Sequence, residues 1–452
     1  MNLFSIEYWV LIGVLFILYW LVPARISRYV LLMAGAVIWY SFGIEVFVLA
    51  IMCAVLTYIL GRLIETVDSR AATIIMWLGI AILIGAIAVS RMELFPSIGV
   101  SFYSFRLMSY LADVKNGAKS EKSIVNFGVY ASFFPIFIAG PVVRYNTIER
   151  QIKRAEFNYD KACKALFRIV FGVFQKAYVA DKIAGVVDGV YSGYASYNGI
   201  TIAVAAVLYS MQIYCDFAGY SNIVIGVASL FGFELEENFL QPYFATSIAD
   251  FWRRWHVSLS TWLKDYVYIP LGGKKRKSIN ILITFLVSGL WHGFGMGFVV
   301  WGLLHGIYQI VGNFLAPTKV RFFDKTKKIW GNDFGKKCIS IMVTFFLVTF
   351  AWFFFRVPDI GLACRMIKHS LMNINQGIFG ISIPMFWSII QGIMVVTLVD
   401  VFSYKKIDVY GLFTRQGIAI KCVISFIMVS FVAVLFLIKL GGNGSSFIYA
   451  VF

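Results

Sequence analysis

Apolar runs long enough to cross a bilayer as helices, about 20 residues each at ~1.5 Å rise per residue, recur along the whole chain. Nothing else in the sequence constrains the fold as much. The composition agrees, since 60% of the 452 residues are hydrophobic, with 43 Phe and 12 Trp, which places the chain among polytopic helical membrane proteins. Candidate spans lie at roughly 3–22, 28–50, 48–61, 73–90, 124–142, 165–190, 199–230, 279–297, 296–316, 338–356, 384–402 and 418–440. Neighbouring windows touch or overlap in two places, so ten to twelve helices are expected. The segment from Leu3 to Val22 is long and aromatic and lacks a small-residue cleavage site, so it reads as the first span rather than a leader. With no low-complexity linker and no repeat at a fixed period, a single integral domain over residues 1–452 is expected.

The formal charge of +17 comes mainly from Lys and Arg in short connections between spans. That is a topology signal rather than a nucleic-acid footprint, and no nucleic-acid role is expected. The six cysteines (Cys53, Cys163, Cys215, Cys338, Cys364, Cys422) are scattered without ligand spacing. Histidines stand only at 256, 292, 305 and 369, so no cluster suggests a zinc centre and no metal site is expected.

Basic loops orient the C-terminal half. Lys274, Lys275, Arg276 and Lys277 mark one cytoplasmic connection, and the stretch from Lys319 to Lys337 marks another. Continuing the alternation through 338–356, 384–402 and 418–440 leaves the tail 441–452 on the far side. The first half is less orderly, because 95–113 carries Arg106 and both flanks of 124–142 are basic. One of these two segments, the second with Pro135 and the Gly140–Pro141 pair, is expected to be re-entrant or interfacial and to line a funnel.

His292, in the run Ser288, Gly289, Leu290, Trp291, His292, Gly293, is the residue that most needs an explanation. If its helix starts near Ser278, the imidazole lies roughly 20 Å in, where an ionisable group is costly. Ser288, Gly289 and Gly295 share its face at i−4, i−3 and i+3, which suits close helix packing through small residues. It equally leaves room for a substrate beside a base whose unperturbed pKa is about 6.5 and which burial keeps neutral. From Phe251 to Tyr266 the pattern predicts one divided helix. At 100° per residue Trp252, Trp255, His256, Leu259, Trp262, Leu263 and Tyr266 share an arc, and Arg253, Arg254, Val257, Ser258, Ser260, Thr261, Lys264 and Asp265 lie opposite. Such a helix anchors in an interface, or its Arg253, Arg254 and Lys264 receive an anionic donor from the cytoplasm. His256 reads as a hydrogen-bonded core histidine or as a second functional one. Asp216, in the run Tyr214 to Asn222, either orients a histidine or caps a broken helix.

These residues carry a resemblance. Asp216, Phe217, x, Gly219, Tyr220, Ser221, then Glu237, Asn238, Phe239, x, Gln241, Pro242, Tyr243, then Asp250 through Ser260, then Asp265, Tyr266, x, Tyr268 through Gly273, Leu290 through Gly293, and Trp301, Gly302, x, x, His305, Gly306 together resemble the membrane-bound O-acyltransferase superfamily. The motif region is 212–306, and Tyr268 to Gly273 is similar to the alginate O-acetylation branch. The sequence departs from the pattern at Ala218 and Asn222 and in a short loop after Gly273.

The resemblance implies a ring of helices around a central funnel and acyl transfer from a cytoplasmic thioester, acetyl-CoA or an acyl carrier, with no permanently bound cofactor. It implies His292 as the catalytic histidine and His256 as the second histidine of the pattern; Ser288 and Asp216, with Arg253, Arg254 and Lys264, are the candidate substrate-binding residues. The last six residues, Phe447 to Phe452, resemble the branch's Phe-x-Tyr-x-x-Phe tail, which implies that Tyr449 carries the acyl group. Expected partners are an extracytoplasmic acyltransferase of a secreted-polymer pathway, a cytoplasmic donor or carrier protein, and membrane lipids. The expected location is the bacterial inner membrane, multi-pass. The rival functions are D-alanyl transfer to teichoic acid, a non-catalytic transporter or flippase, and a membrane scaffold; the transporter class predicts paired inverted repeats, which the sequence does not display.

Overall fold

Lipid offers no water to satisfy a backbone, so the chain closes its hydrogen bonds within helices. The structure, a computed structural model, describes residues 5–91, 99–152, 156–330, 334–373 and 377–440, with side chains described in those ranges except at 91, 317–330, 334 and 436–440. In chain order the helices are α1 (Ile6–Leu21), α2 (Ala24–Tyr40), α3 (Ile44–Ile64), α4 (Ser69–Arg91), α5 (Val100–Lys115), α6 (Ile124–Ala131), α7 (Tyr145–Ile148), α8 (Tyr159–Val173), α9 (Asp181–Ser192) and α10 (Gly199–Leu230). There follow α11 (Ile248–Trp252), α12 (Val257–Leu263), α13 (Lys277–His292), α14 (Met296–Trp330), α15 (Phe334–Arg356), α16 (Ile360–Met372), α17 (Ile383–Tyr404), α18 (Val409–Thr414) and α19 (Ile418–Leu440). Among the described residues there is no β-strand, only two isolated bridges.

Seven helices among the described residues hold stretches long and apolar enough to span: Ile44–Ile64, Ser69–Ser90, Gly199–Leu230, Met296–Ala316, Gly335–Arg356, Ile383–Tyr404 and Ile418–Leu435. α15 shows why lipid surrounds them. Val348, Ala351, Trp352 and Phe355 are buried, while Met342 and Phe346 on the outer face are 62% and 68% exposed. Side chains of that size left outside in such numbers require an apolar solvent. The chain is an all-α, multi-pass membrane protein.

Two compact units divide the chain. The first comprises residues 1–173, 219–236 and 416–452, and the second residues 174–218 and 237–415. In the first, α1 buries Tyr8, Ile12, Leu15 and Tyr19, a stripe at helical spacing. The expected windows 28–50 and 48–61 resolve into α2 and α3, separated by a turn at Ser41–Gly43, where Gly43 takes φ 120°. Apolar periodicity runs through that turn and concealed it. α5 is buried nearly all round, and Arg106 in its middle donates to the carbonyls of Tyr130 (3.4 Å) and Ala131 (3.1 Å) while the Tyr130 hydroxyl donates back to the Arg106 carbonyl (2.7 Å). The window 124–142 is not one helix. α6 has 8 residues, a 3₁₀ turn follows at Phe134–Ile136 with Pro135 in it, and Gly140 takes φ 137°.

In the second unit α13 and α14 form a tight hairpin. A Cβ on Gly289 would lie 2.4 Å from the Phe298 carbonyl oxygen, and one on Gly302 would lie 2.5 Å from that of Phe285. Only glycine allows this approach, because the obstructing atoms are backbone and move only if the helices do. Gly289→Ala and Gly302→Ala are each expected to destabilise the protein by about 1–3 kcal/mol. Gly312→Ala, whose Cβ would meet nothing within 4 Å, is the control. Thermal unfolding in detergent checks this; equal midpoints for all three variants would contradict the packing.

Candidate active site

His292 is the last residue of α13, and Gly293 stops the helix. The sequence pattern had run that helix on to 297; the chain instead bends over Gly293–Gly295 and restarts at Met296. The imidazole is 3% exposed and ringed by aromatic side chains: Trp291 at 4.5 Å between ring centroids, Phe355 at 4.8 Å and Trp301 at 5.2 Å. One turn earlier, Ser288 is also buried, and its hydroxyl meets no hydrogen-bond partner among the described residues.

The divided helix expected from Phe251 to Tyr266 is broken in the structure. α11 ends at Trp252, Arg253–His256 form a turn, and α12 begins at Val257. The cause is long-range pairing that periodicity does not report. The amide of Leu240 donates to the Arg254 carbonyl, and that of Val257 donates to the Asn238 carbonyl. His256 bends the chain by adopting φ 42°, a left-handed backbone uncommon outside glycine. Its Nδ1 lies 3.0 Å from Asn238 Oδ1, which also accepts from the Ser258 hydroxyl at 2.9 Å. That network assigns the proton to Nδ1 and leaves the lone pair on Nε2.

Trp291 stands against both histidines, its ring 4.5 Å from His292 and 6.5 Å from His256. Phe217 packs edge-on to His256 at 4.6 Å, so Asp216 is one residue from the same cluster. Asp216 is paired with Lys176 at 2.5 Å, and Lys176 also meets Asp181 at 2.8 Å. Lys176 sits in a π-helical turn, Phe174–Ala180, that interrupts the α8–α9 run. Sequence reasoning missed it, although a lysine inside the apolar window 165–190 was signal enough. Asp400 was likewise absorbed into a span; both its oxygens accept from the Tyr214 hydroxyl, at 2.9 and 3.0 Å. Arg253 and Arg254 both pair with Asp250, at 3.3 and 3.1 Å, Arg253 largely in solvent. Lys264 is exposed where α12 passes into a π-helical turn. Tyr449 lies outside the described residues. The structure therefore gathers His292, His256, Ser288 and Asp216 in the second unit's interior and leaves Arg253 and Lys264 at its surface.

Burial pushes the His256 pKa from 6.5 down to about 3. Between those values the unfolded chain binds a proton that the folded one refuses, so the neutral ring's stability is full above 6.5 and drains as pH falls toward 3. One site contributes at most ~1.4 kcal/mol per pH unit. The thermal midpoint is expected to drop between pH 7 and pH 5 more steeply in the wild type than in His256→Asn, which tolerates the left-handed backbone and keeps an N–H for Asn238. Equal slopes would contradict the buried neutral imidazole.

Comparison with known proteins bears on the chemistry. The membrane-bound O-acyltransferase (MBOAT) family matches residues 70–355. The chain is 30% identical over 419 residues to a probable alginate O-acetylase AlgI of Pseudomonas fluorescens, covering 87% of this chain and 79% of that protein. It is 36% identical over 256 residues to a peptidoglycan O-acetyltransferase of Helicobacter pylori, covering 55% of this chain and 47% of that protein, about half its length. A teichoic acid D-alanyltransferase of Bacillus subtilis is 26% identical over 286 residues, 58% of this chain and 69% of that one. A multi-pass membrane protein with buried histidines and this family match is an acyltransferase, and the chain belongs to the membrane-bound O-acyltransferase family.

Proposed function

We propose that this acyltransferase moves an acyl group, acetyl in the first reading, from a cytoplasmic thioester across the inner membrane of a bacterium for O-acylation of an extracytoplasmic polysaccharide. The observation that carries this reading is the 30% identity across 87% of the chain to a probable alginate O-acetylase. In this reading residues 1–452 act as one integral domain, ten to twelve helices ring a funnel, and the tail 441–452 faces away from the cytoplasm. The donor is acetyl-CoA or an acyl carrier, whose anionic groups meet Arg253, Arg254 and Lys264. Asp216 and Ser288 line the way to His292. A separate extracytoplasmic transferase takes the acyl group onward.

The chemistry assigned to His292 is general-base catalysis. As an acceptor hydroxyl, that of Tyr449 or of the glycan, attacks the thioester carbonyl, its proton passes to the neutral imidazole. The C–S bond then breaks and the thiolate takes the proton back. Such help is typically worth ~10²–10⁴-fold. His256 supports this centre through Trp291. The B. subtilis relative keeps D-alanyl transfer as a second reading, separated by the acyl group found on the envelope.

Cells carrying His292→Ala at normal protein levels are expected to lose acylation of the secreted polymer; unchanged acylation would sink the reading. Mass spectrometry of the C-terminal peptide from active cells is expected to find the acyl group on Tyr449. If the group is absent while the polymer is still acylated, the tail is not its carrier.

A further inference from the structure

Acyl transfer needs more than a base. When the acceptor oxygen bonds to the carbonyl carbon, the C=O electron pair moves onto the acyl oxygen, and that charge needs hydrogen-bond donors already in place. The donors near His292 include the indole N–H groups of Trp291 and Trp301 and the Ser288 hydroxyl.

Trp301, in the second turn of α14, is fully buried, with its ring at 5.2 Å and nearly perpendicular to that of His292. An indole Nε1–H can only donate. That of Trp301 meets no acceptor among the described residues. Its other ring neighbours are Trp252, Trp352 and Phe355, at 5.7, 5.7 and 5.4 Å, and none of these rings offers a conventional acceptor. The remaining neighbour is His305, one turn on at 5.1 Å. Its Nδ1 lone pair accepts the Trp252 indole N–H at 3.2 Å, so the neutral ring carries its proton on Nε2 and is itself a donor. A buried donor without an acceptor costs desolvation that no bond returns, and phenylalanine would fill much of the space without that cost. An acceptor brought by a bound acyl group would offset that cost. The bend after His292 comes to the surface at Phe294, which is largely exposed, while Gly293 and Gly295 on either side pack against the Phe298 ring and Pro358.

We propose that Trp301 is a catalytic residue whose indole N–H donates to the carbonyl oxygen of the acyl group during transfer. This rests on the reading of His292 as the base. As the acceptor O–C bond forms and its proton passes to His292, the oxyanion receives the Trp301 N–H. The anion then re-forms the carbonyl, the C–S bond breaks, and the departing thiolate recovers the proton from His292.

The test separates folding from chemistry. Trp301→Phe, and a chain with benzothienylalanine at 301, which keeps the bicyclic shape and replaces N–H by sulfur, are compared with the wild type at matched membrane levels. Polymer acylation rate in cells and thermal unfolding of the purified proteins are the readouts. The benzothienyl chain is expected to unfold at or above the wild-type midpoint while acylating ~10²–10³-fold more slowly, and Trp301→Phe to be similarly slow. Wild-type rates in the benzothienyl chain would overturn the proposal. Loss of folding in that chain would also overturn it, by showing that the N–H has a structural partner such as an internal water. His292→Ala that still acylates defeats the base reading instead, whereas an inactive His292→Ala beside a fully active benzothienyl chain defeats only the role of Trp301.

Discussion

A polar group taken into a lipid-embedded core must find its partner inside the protein, and the arrangement of both units follows from that constraint. In the first unit Arg106 is held by the last two carbonyls of α6, those of Tyr130 and Ala131, and returns a carbonyl to Tyr130. In the second, Lys176 is held between Asp216 and Asp181, Asp400 by Tyr214, His256 by Asn238, and His305 by Trp252. Removing one member of a buried ion pair costs about 3–5 kcal/mol, because the charge left behind is buried without its partner, so Lys176 and Asp216 are retained together or not at all. The glycine contact of α13 with α14 belongs to the same logic. It brings two helices close enough for His292 and Trp301 to share one aromatic core.

The two histidines of the candidate site are held in distinct ways. His256 is fixed by hydrogen bonds on a strained backbone, with Nδ1 committed to Asn238. His292 stands at a helix end beside a glycine-rich bend, ringed by aromatic side chains. Trp291 joins the two, so a displacement at Asn238 reaches His292 through one side chain.

Much of the fold was legible because lipid reduces it to a single signal, apolar length. α10, α15, α17 and α19 lie close to their expected windows, whereas α14 starts where expected but runs on to Trp330, through residues expected to form a basic loop from Lys319. The failures came where hydrogen bonds rather than apolar contacts set the path. The segment from Phe251 to Tyr266 has helical periodicity throughout, yet Asn238 and Leu240, more than a dozen residues earlier, break it by capturing the backbone at Arg254 and Val257. The turn at Gly43 and the helix end at Gly293 were hidden inside apolar runs, though each is marked by glycine. At the site, His292, Ser288, His256 and Asp216 were found as polar residues in apolar surroundings. Lys176 and Asp400 met the same criterion and were passed over inside windows already read as spans, and His305, named within the family motif, was given no role. The tail with Tyr449 lies outside the described residues, so its reading still rests on its motif.

The central claim is that a neutral His292 in this aromatic core is the base for acyl transfer through the membrane. The most direct test is a single-turnover measurement in sealed proteoliposomes, with acetyl-CoA radiolabelled in the acetyl group supplied on the side of Lys274 to Lys277. Wild-type protein is predicted to move label to protein or acceptor on the opposite side, while His292→Ala moves none. Equal transfer by the variant, or label that never leaves the supply side, would contradict the account.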